Sequence, residues 1–127
     1  MKPRGQEDFV LLVEADPVVG LDLADALEAA GYRVTGPIRT AAEAEMSLSH
    51  RIPALAVLDF TEVDGAGSRL ARTLHRRGVP FLVCAERGGA TGRDREFADM
   101  PCLSKPAWHR DVTWTMDELA ARMGRVE

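Results

Sequence analysis

The chain of 127 residues is 46% hydrophobic and 28% charged, which indicates one ordinary globular domain and excludes disordered, collagen-like and disulfide-scaffold classes. Its longest apolar runs, 9–13 and 81–85, are far shorter than the about 20 residues of a membrane span, and the polar segment 1–8 lacks the apolar core of a secretory signal. We therefore expect a cytoplasmic protein with no membrane contact and with reduced thiols. Sixteen lysines and arginines against twenty acidic residues give a net charge of −4, which argues against a nucleic-acid partner.

Five short apolar segments alternate with helix-length amphipathic segments, and this alternation predicts strands and helices in turn. Glycine or proline stands between most of them, as at Gly31, Pro53, Gly78 and Pro106, and marks the turns. The third and fourth apolar segments are almost purely apolar, which is typical of parallel strands covered on both faces. The predicted strands are 9–13, 32–36, 54–58, 79–85 and 102–104.

The first two predicted helices carry clear start signals. Asp16-Pro17 begins the first helix, which extends to Gly31, because proline is favoured at the first helical position. The predicted apolar face of this helix consists of Val19, Leu23, Leu27 and Ala30. Thr40 and Glu43 form a capping box for the second helix. The apolar positions of the second helix are Ala41, Ala44, Leu48 and Ile52.

Three further helices are predicted at 68–77, 91–100 and 110–122. The apolar stripe of the last helix consists of Val112, Met116, Leu119 and Met123. Trp114 lies about 200° from Val112 around the helix axis, so we expect it to be exposed. An exposed tryptophan is a candidate anchor for a protein partner, and packing under a neighbouring loop is the alternative.

Five strand and helix pairs in about 120 residues predict an α/β fold with a doubly wound, five-stranded parallel sheet. Sheets of this kind bind their ligands beyond the carboxyl ends of the strands, where the winding reverses. We expect a short polar arm at 1–8, a single domain at 9–127 and no output domain.

Polar residues follow three of the predicted strands and would converge at one edge of the sheet. Glu14 and Asp16 follow the first strand, Asp59 ends the third, and Lys105 follows the fifth. The pattern is an apolar strand that ends in a carboxylate, with a second acidic strand end and a lysine opposite it. This combination is typical of an aspartate that accepts a phosphoryl group. The carboxylate attacks phosphorus, a divalent cation with oxygen ligands offsets the charge, and the lysine holds a phosphoryl oxygen.

The sequence resembles the receiver domains of two-component response regulators over essentially its whole length. The resemblance rests on Val13-Glu14-Ala15-Asp16-Pro17, on Asp59 and on Lys105-Pro106. It implies a flavodoxin-like sheet of strand order 2-1-3-4-5, phosphorylation on Asp59, a role for Lys105 beside it, a cis Lys105–Pro106 bond and Mg²⁺ as cofactor.

The resemblance also implies the metal ligands and shows where this chain departs from the family. The ligands would be Glu14 through water, Asp59 directly and the backbone carbonyl of Thr61. The usual second acidic residue is replaced by Ala15, so we expect weaker Mg²⁺ binding unless Asp16 takes its place.

Two positions that couple phosphorylation to the rest of the domain in the family also differ here. Ala85 stands at the position of the usual threonine or serine, and Cys102 stands at that of the usual tyrosine or phenylalanine. We therefore expect atypical switching.

The resemblance implies a single-domain response regulator, a cytoplasmic phosphoprotein of two-component or phosphorelay signal transduction. It would take a phosphoryl group from a histidine kinase or phosphotransfer protein and act on a downstream protein target, with Trp114 as a partner surface and a homodimer as one option. It would not be a turnover enzyme, since its chemistry would be limited to self-phosphorylation and slow autodephosphorylation. The alternative is a pseudo-receiver that binds partners independently of phosphorylation. Ala15 favours that alternative, whereas the retained Asp59 and Lys105 oppose it, because a buried ion pair is costly to desolvate.

Overall fold

Five parallel strands form one sheet in the order β2-β1-β3-β4-β5, in a computed structural model that describes residues 6–60, 65–85 and 99–124. The strands are β1 (Gln6–Glu14), β2 (Val34–Ile38), β3 (Ile52–Phe60), β4 (Phe81–Ala85) and β5 (Cys102–Ser104). The helices in the described ranges are α1 (Pro17–Ala29), α2 (Ala41–Ser47), α3 (Gly65–Arg76) and α4 (His109–Gly124). The predicted α/β fold and its strand order are confirmed.

The sheet is covered by helices on both faces, as the apolar strands predicted. Leu11 and Val13 belong to a core cluster with residues of α2 and α3. Val10 and Leu12, which alternate with them along β1, belong to a second cluster with residues of α1 and α4. This alternation follows from the two-residue period of a strand, whose successive side chains point to opposite faces. The two cores hold the polar ends of β1 and β3 side by side.

Helix α1 begins as predicted, but its buried face is turned from the predicted one. Asp16 is the N-cap and its carboxylate accepts hydrogen bonds from the backbone N–H groups of Val18 and Val19. Val19 is 43% exposed, and Ala30 is also exposed, so the predicted apolar face is wrong at both positions. The buried residues are Gly20, Leu23, Ala24 and Leu27. The helix turns this way because Gly20 lies against the sheet, where a larger residue would collide.

Strand β2 lies two residues later than predicted and contains a bulge. Leu11 of β1 pairs with Thr35, but Val13 pairs with Ile38, so Gly36 and Pro37 together lie opposite one residue of β1. Gly36 has a φ of 125°, a conformation that glycine adopts readily and other residues rarely do. A bulge of this kind bends the strand and allows its last residue to pair beside the end of β1.

The remaining boundaries differ more modestly from the predictions. Helix α2 ends at Ser47, and Ile52, predicted as its last apolar position, instead begins β3 and pairs with Gln6. Residues 6–8 of the predicted arm belong to β1. The predicted strand 79–85 is shorter and begins at Phe81, and the third helix begins three residues earlier than predicted, at Gly65.

The predicted helix 91–100 lies almost wholly outside the described residues. Among the helices that are described, none combines the length and the apolar character needed to cross a membrane.

Candidate functional site

The candidate site lies at the carboxyl ends of the central strands, where the sequence predicted it. Glu14 of β1 is in register with Asp59 of β3, and Asp59 is in register with Cys84 of β4. The backbone N–H of Lys105 donates to the carbonyl oxygen of Ala85 at 2.8 Å, which holds the residue after β5 against the end of β4. Strands β1 and β3 flank the point where the winding of the sheet reverses, the usual ligand position in such folds.

Asp59 and Lys105 form an ion pair at the centre of this site. The Lys105 ammonium contacts Oδ1 of Asp59, whose side chain is 8% exposed, while that of Lys105 is 19% exposed. The Lys105–Pro106 peptide bond is cis, as the resemblance implied. A largely buried carboxylate is stabilised as an anion only when a cation of this kind lies beside it.

Glu14 adds a second buried carboxyl group next to the first. It is 2% exposed, and its Oε2 accepts a hydrogen bond of 2.8 Å from the backbone N–H of Asp16. Its other oxygen, Oε1, is buried without a hydrogen-bond partner among the described residues. Burial, and after it the neighbouring Asp59 carboxyl, raise the pKa of Glu14 to about 7, although the Asp16 amide and Lys105 act in the opposite direction. Among the described residues, Lys105 is thus the cation beside both carboxyl groups, and further positive charge next to them would stabilise their ionised forms.

The donor chemistry of this pair fits a hard divalent cation. Mg²⁺ is commonly bound by one or two carboxylates, with water completing its shell. Glu14 and Asp59 supply two such groups, and Oε1 of Glu14 is a buried oxygen that lacks a partner. Thr61, whose carbonyl was predicted as a further ligand, lies outside the described residues.

Asp16 does not join these two carboxylates. Its side chain caps α1, and within the described ranges no three His, Cys, Asp or Glu side chains form a group that could hold a metal ion. Ala15 is exposed and offers no side-chain donor. The described part of the site therefore brings together two carboxyl groups, Glu14 and Asp59, and Asp16 does not add a third.

A cavity of about 590 Å³ opens beside the ion pair, between α1 and α4. Its lining includes Asp22 of α1, Cys84 of β4 and His109 at the start of α4. Burial, followed by the charge of Asp59, raises the pKa of the Cys84 thiol to about 12, so this thiol stays protonated. From the sequence, Cys84 is interpreted as a buried structural thiol and His109 as a surface residue, so neither is predicted at the site. Their positions were the available signal, since Cys84 lies near the end of an apolar strand and His109 shortly after Lys105-Pro106.

The predicted switch positions, Ala85 and Cys102, lie in strands of the sheet, whereas the predicted partner residue Trp114 lies on the surface. Ala85 is buried at the end of β4, and Cys102 is half-buried in β5, opposite Val83. Trp114 is 64% exposed on α4, as predicted, and Trp108 is even more exposed. Neither switch position carries the hydroxyl or aromatic group that the resemblance would place there.

Comparison with solved structures identifies the fold. A receiver domain of a signal transduction histidine kinase from Syntrophus aciditrophicus has a TM-score of 0.79 and 24% identity, with 95% of this chain and 96% of that chain covered. A CheY-like response regulator receiver domain protein from Methanospirillum hungatei has a TM-score of 0.77 and 23% identity, covering 94% and 98% of the two chains. SdrG from Sphingomonas melonis has a TM-score of 0.68 and 26% identity, covering 88% and 95%. No family model and no curated protein matches the sequence.

The chain therefore has the fold of CheY-like response regulator receiver domains, over about 95% of its length. Its polar residues at the ends of β1 and β3 and after β5 meet on the side of the sheet formed by the carboxyl ends of the strands, as the sequence indicated.

Proposed function

We propose that this protein is a receiver domain of a two-component signalling pathway that accepts a phosphoryl group on Asp59. The observation that carries the proposal is the ion pair of Asp59 with Lys105, formed at the carboxyl end of β3 beside the buried Glu14. A fold alone does not imply a function, because one fold hosts many activities. A nucleophilic carboxylate, a neighbouring ammonium group and a second carboxylate at one edge of the sheet are the parts that phosphoryl transfer to aspartate requires.

In the proposed reaction an oxygen of Asp59 forms a bond to the phosphorus of a phosphohistidine on the donor protein. The bond between phosphorus and the imidazole nitrogen breaks, its electron pair stays on that nitrogen, and the nitrogen takes up a proton. The Lys105 ammonium, already in contact with the Asp59 carboxylate, lies where it would bind a phosphoryl oxygen.

Glu14 and Asp59 are the residues that would hold Mg²⁺, with the carbonyl of Thr61 as a further predicted ligand. Mg²⁺ supplies positive charge that offsets the phosphoryl oxygens during transfer. The chain's own contribution is to keep two carboxylates side by side and to bury them, which strengthens their attraction for a cation.

The proposal includes partners but no turnover reaction. The donor is a histidine kinase or phosphotransfer protein, and the acyl phosphate on Asp59 would change how the domain binds a downstream protein in the cytoplasm. Two of the similar solved structures are described as a sensor protein and as the receiver of a histidine kinase, which supports partners of this class.

The test is intact-mass analysis after incubation with Mg²⁺ and acetyl phosphate, with Asp59→Asn as the control. The proposal expects one phosphoryl adduct on the wild-type chain and none on the variant. An adduct that persists in Asp59→Asn would contradict the assignment of the acceptor. If no adduct forms, the same measurement is repeated with a phosphorylated histidine kinase, and a second failure rejects phosphoryl transfer.

A second candidate function is a pseudo-receiver that binds its partners without phosphorylation. It is favoured by Ala15, Ala85 and Cys102, each of which replaces a group that the phosphorylation switch commonly uses. Titration with Mg²⁺ distinguishes the two functions. Equal and negligible affinity in wild type and Asp59→Asn would favour the pseudo-receiver, whereas binding that is lost in the variant would favour the acceptor.

A further inference from the structure

Helix α1, strand β2 and the side chain of Glu14 meet at Gly20. A Cβ atom built on Gly20 would lie 2.6 Å from Cβ and 2.7 Å from Cγ of Pro37, and 3.3 Å from Cγ of Glu14. Carbon atoms in ordinary contact are about 3.5–4.0 Å apart. The first turns of α1 therefore approach the sheet too closely for any side chain larger than a hydrogen atom at this position.

Pro37 lies in the bulge of β2, between two positions of the strand that pair with β1. A Cβ on Gly36 would collide with the carbonyl oxygen of Leu12, which shows that the backbone of β2 lies directly against β1 at this point. After Pro37, the strand pairs again with β1 through Ile38 and Val13, the residue before Glu14. The proline ring is thus held between two paired positions of the sheet.

This close packing restricts the side chain of Glu14, which is longer and has more rotatable bonds than an aspartate side chain. Oε2 of Glu14 is held by the Asp16 N–H, and its Cγ methylene lies close to Gly20. The remaining oxygen, Oε1, is buried without a hydrogen-bond partner in the described part of the chain, beside the Asp59 carboxyl. The packing around the methylene therefore restricts the directions in which the Glu14 carboxyl group can point, and the Asp16 N–H holds one of its two oxygens away from the acceptor site.

We propose that Gly20 and Pro37 are positioning residues that hold Glu14 so that its Oε1 is presented to a divalent cation. They contact neither the cation nor the phosphoryl group and act only through the Glu14 side chain. The inference deepens the proposed function and rests on its claim that this site binds Mg²⁺. Residues that orient a metal ligand typically change metal affinity by about 10–100-fold when they are replaced.

The test compares Gly20→Ala with Gly31→Ala. Gly31 follows the same helix and has a φ of 102°, but a Cβ there meets nothing within 4 Å, so its replacement strains the backbone without filling space near the site. Mg²⁺ is titrated into each folded protein and followed by backbone amide chemical shifts, with circular dichroism as the check on folding. We expect about a 10–100-fold loss of Mg²⁺ affinity in Gly20→Ala and the wild-type affinity in Gly31→Ala.

A double-mutant cycle with Glu14→Ala distinguishes positioning from general damage to the fold. If Gly20 acts through Glu14, adding Gly20→Ala to Glu14→Ala leaves the already reduced affinity unchanged, whereas an equal further loss would overturn the proposal. Wild-type affinity in Gly20→Ala would overturn it as well. If Gly20→Ala does not fold, the same cycle is made with Pro37→Ala, which removes ring atoms from the contact, and an unchanged affinity there refutes the proposal.

The outcome for the wild-type chain separates this inference from the proposed function. If the wild type does not bind Mg²⁺ at all, the metal-dependent part of the proposed function fails and the inference fails with it. If the wild type binds Mg²⁺ and accepts a phosphoryl group but Gly20→Ala behaves like Gly31→Ala, only the inference fails.

Discussion

Replacing Glu14 by glutamine removes one of the two buried carboxyl groups while keeping nearly the same shape. Burial and the Asp59 carboxyl raise the pKa of Glu14 from 4.5 to about 7. Between these two values the folded chain keeps a proton that the unfolded chain has released. The free energy of unfolding of the wild type therefore falls as the pH rises through this range, and Glu14→Gln lacks this decrease.

The size of the effect follows from the pKa difference. One pKa unit corresponds to about 1.36 kcal/mol, so a shift from 4.5 to about 7 corresponds to about 3 kcal/mol. Below pH 4.5 the folded and the unfolded wild type both carry the proton on Glu14. Wild type and Glu14→Gln should therefore be equally stable there. Above the higher value the full difference is present, and Glu14→Gln should be the more stable protein by up to about 3 kcal/mol.

The assay is urea unfolding followed by circular dichroism, at several values from about pH 5 to about pH 8, with a chelator present. Glu118→Gln, an exposed position on α4, is the control for removing a carboxylate that lies in water. In a second series without the chelator, added Mg²⁺ should narrow the difference in stability between wild type and Glu14→Gln, because a cation that binds only the folded state stabilises it. Parallel pH profiles for wild type and Glu14→Gln would refute the reasoning.

Two further predictions concern the α4 side of the molecule. The hydroxyl of Tyr32 donates a hydrogen bond to Asp117 of α4, and burial together with this bond raises the pKa of Tyr32 above its usual value. Because Tyr32 is the single tyrosine of the chain, ultraviolet difference titration reads it alone, and Asp117→Asn should lower its pKa, whereas an unchanged titration would exclude the bond as a cause. Trp114, exposed on α4, is predicted to contact a partner or a second copy, so Trp114→Ala should weaken association in sedimentation and pull-down measurements without changing the unfolding midpoint. Association equal to that of wild type would remove Trp114 from the partner surface.

The sequence predicted the parts of the fold that depend on local patterns. The five strands were found because apolar runs bounded by glycine or proline are local signals. Asp59 and Lys105 were found because each follows an apolar strand, and carboxyl ends of parallel strands meet at one edge of a sheet. The N-cap roles of Asp16 and Thr40 were likewise visible, since an N-cap bonds to residues two or three positions away.

The errors occur where contacts distant in sequence decide the structure. Ile52 continues the helical spacing of α2, yet in the sheet it pairs with Gln6, a residue far away in the sequence. Val19 continues the apolar spacing of α1, yet it is exposed because Gly20 is the residue that fits against Pro37. No pattern within α1 or α2 contains that information.

The burial and the side-chain directions of the acidic residues at the site could not be predicted from the sequence either. Glu14 was predicted as a ligand that acts through water, but its near-complete burial and its unpartnered oxygen depend on how α1 lies over the end of β1. Asp16 was considered as a replacement ligand, but its carboxylate accepts hydrogen bonds from the first N–H groups of α1 and caps that helix. Both outcomes depend on side-chain direction, which spacing alone does not determine.

The bulge at Gly36 and Pro37 also affects how the sheet meets other chains. Strand β2 is one edge of the sheet, and exposed edges are templates on which foreign strands add and aggregate. Pro37 has no N–H to donate, and the turned backbone at Gly36 interrupts the row of donors and acceptors that an incoming strand would need. The opposite edge, β5, is only three residues long. Strand addition is thus disfavoured at both edges, which protects the chain against edge-to-edge aggregation and leaves helices and loops as the surfaces open to the partners proposed above.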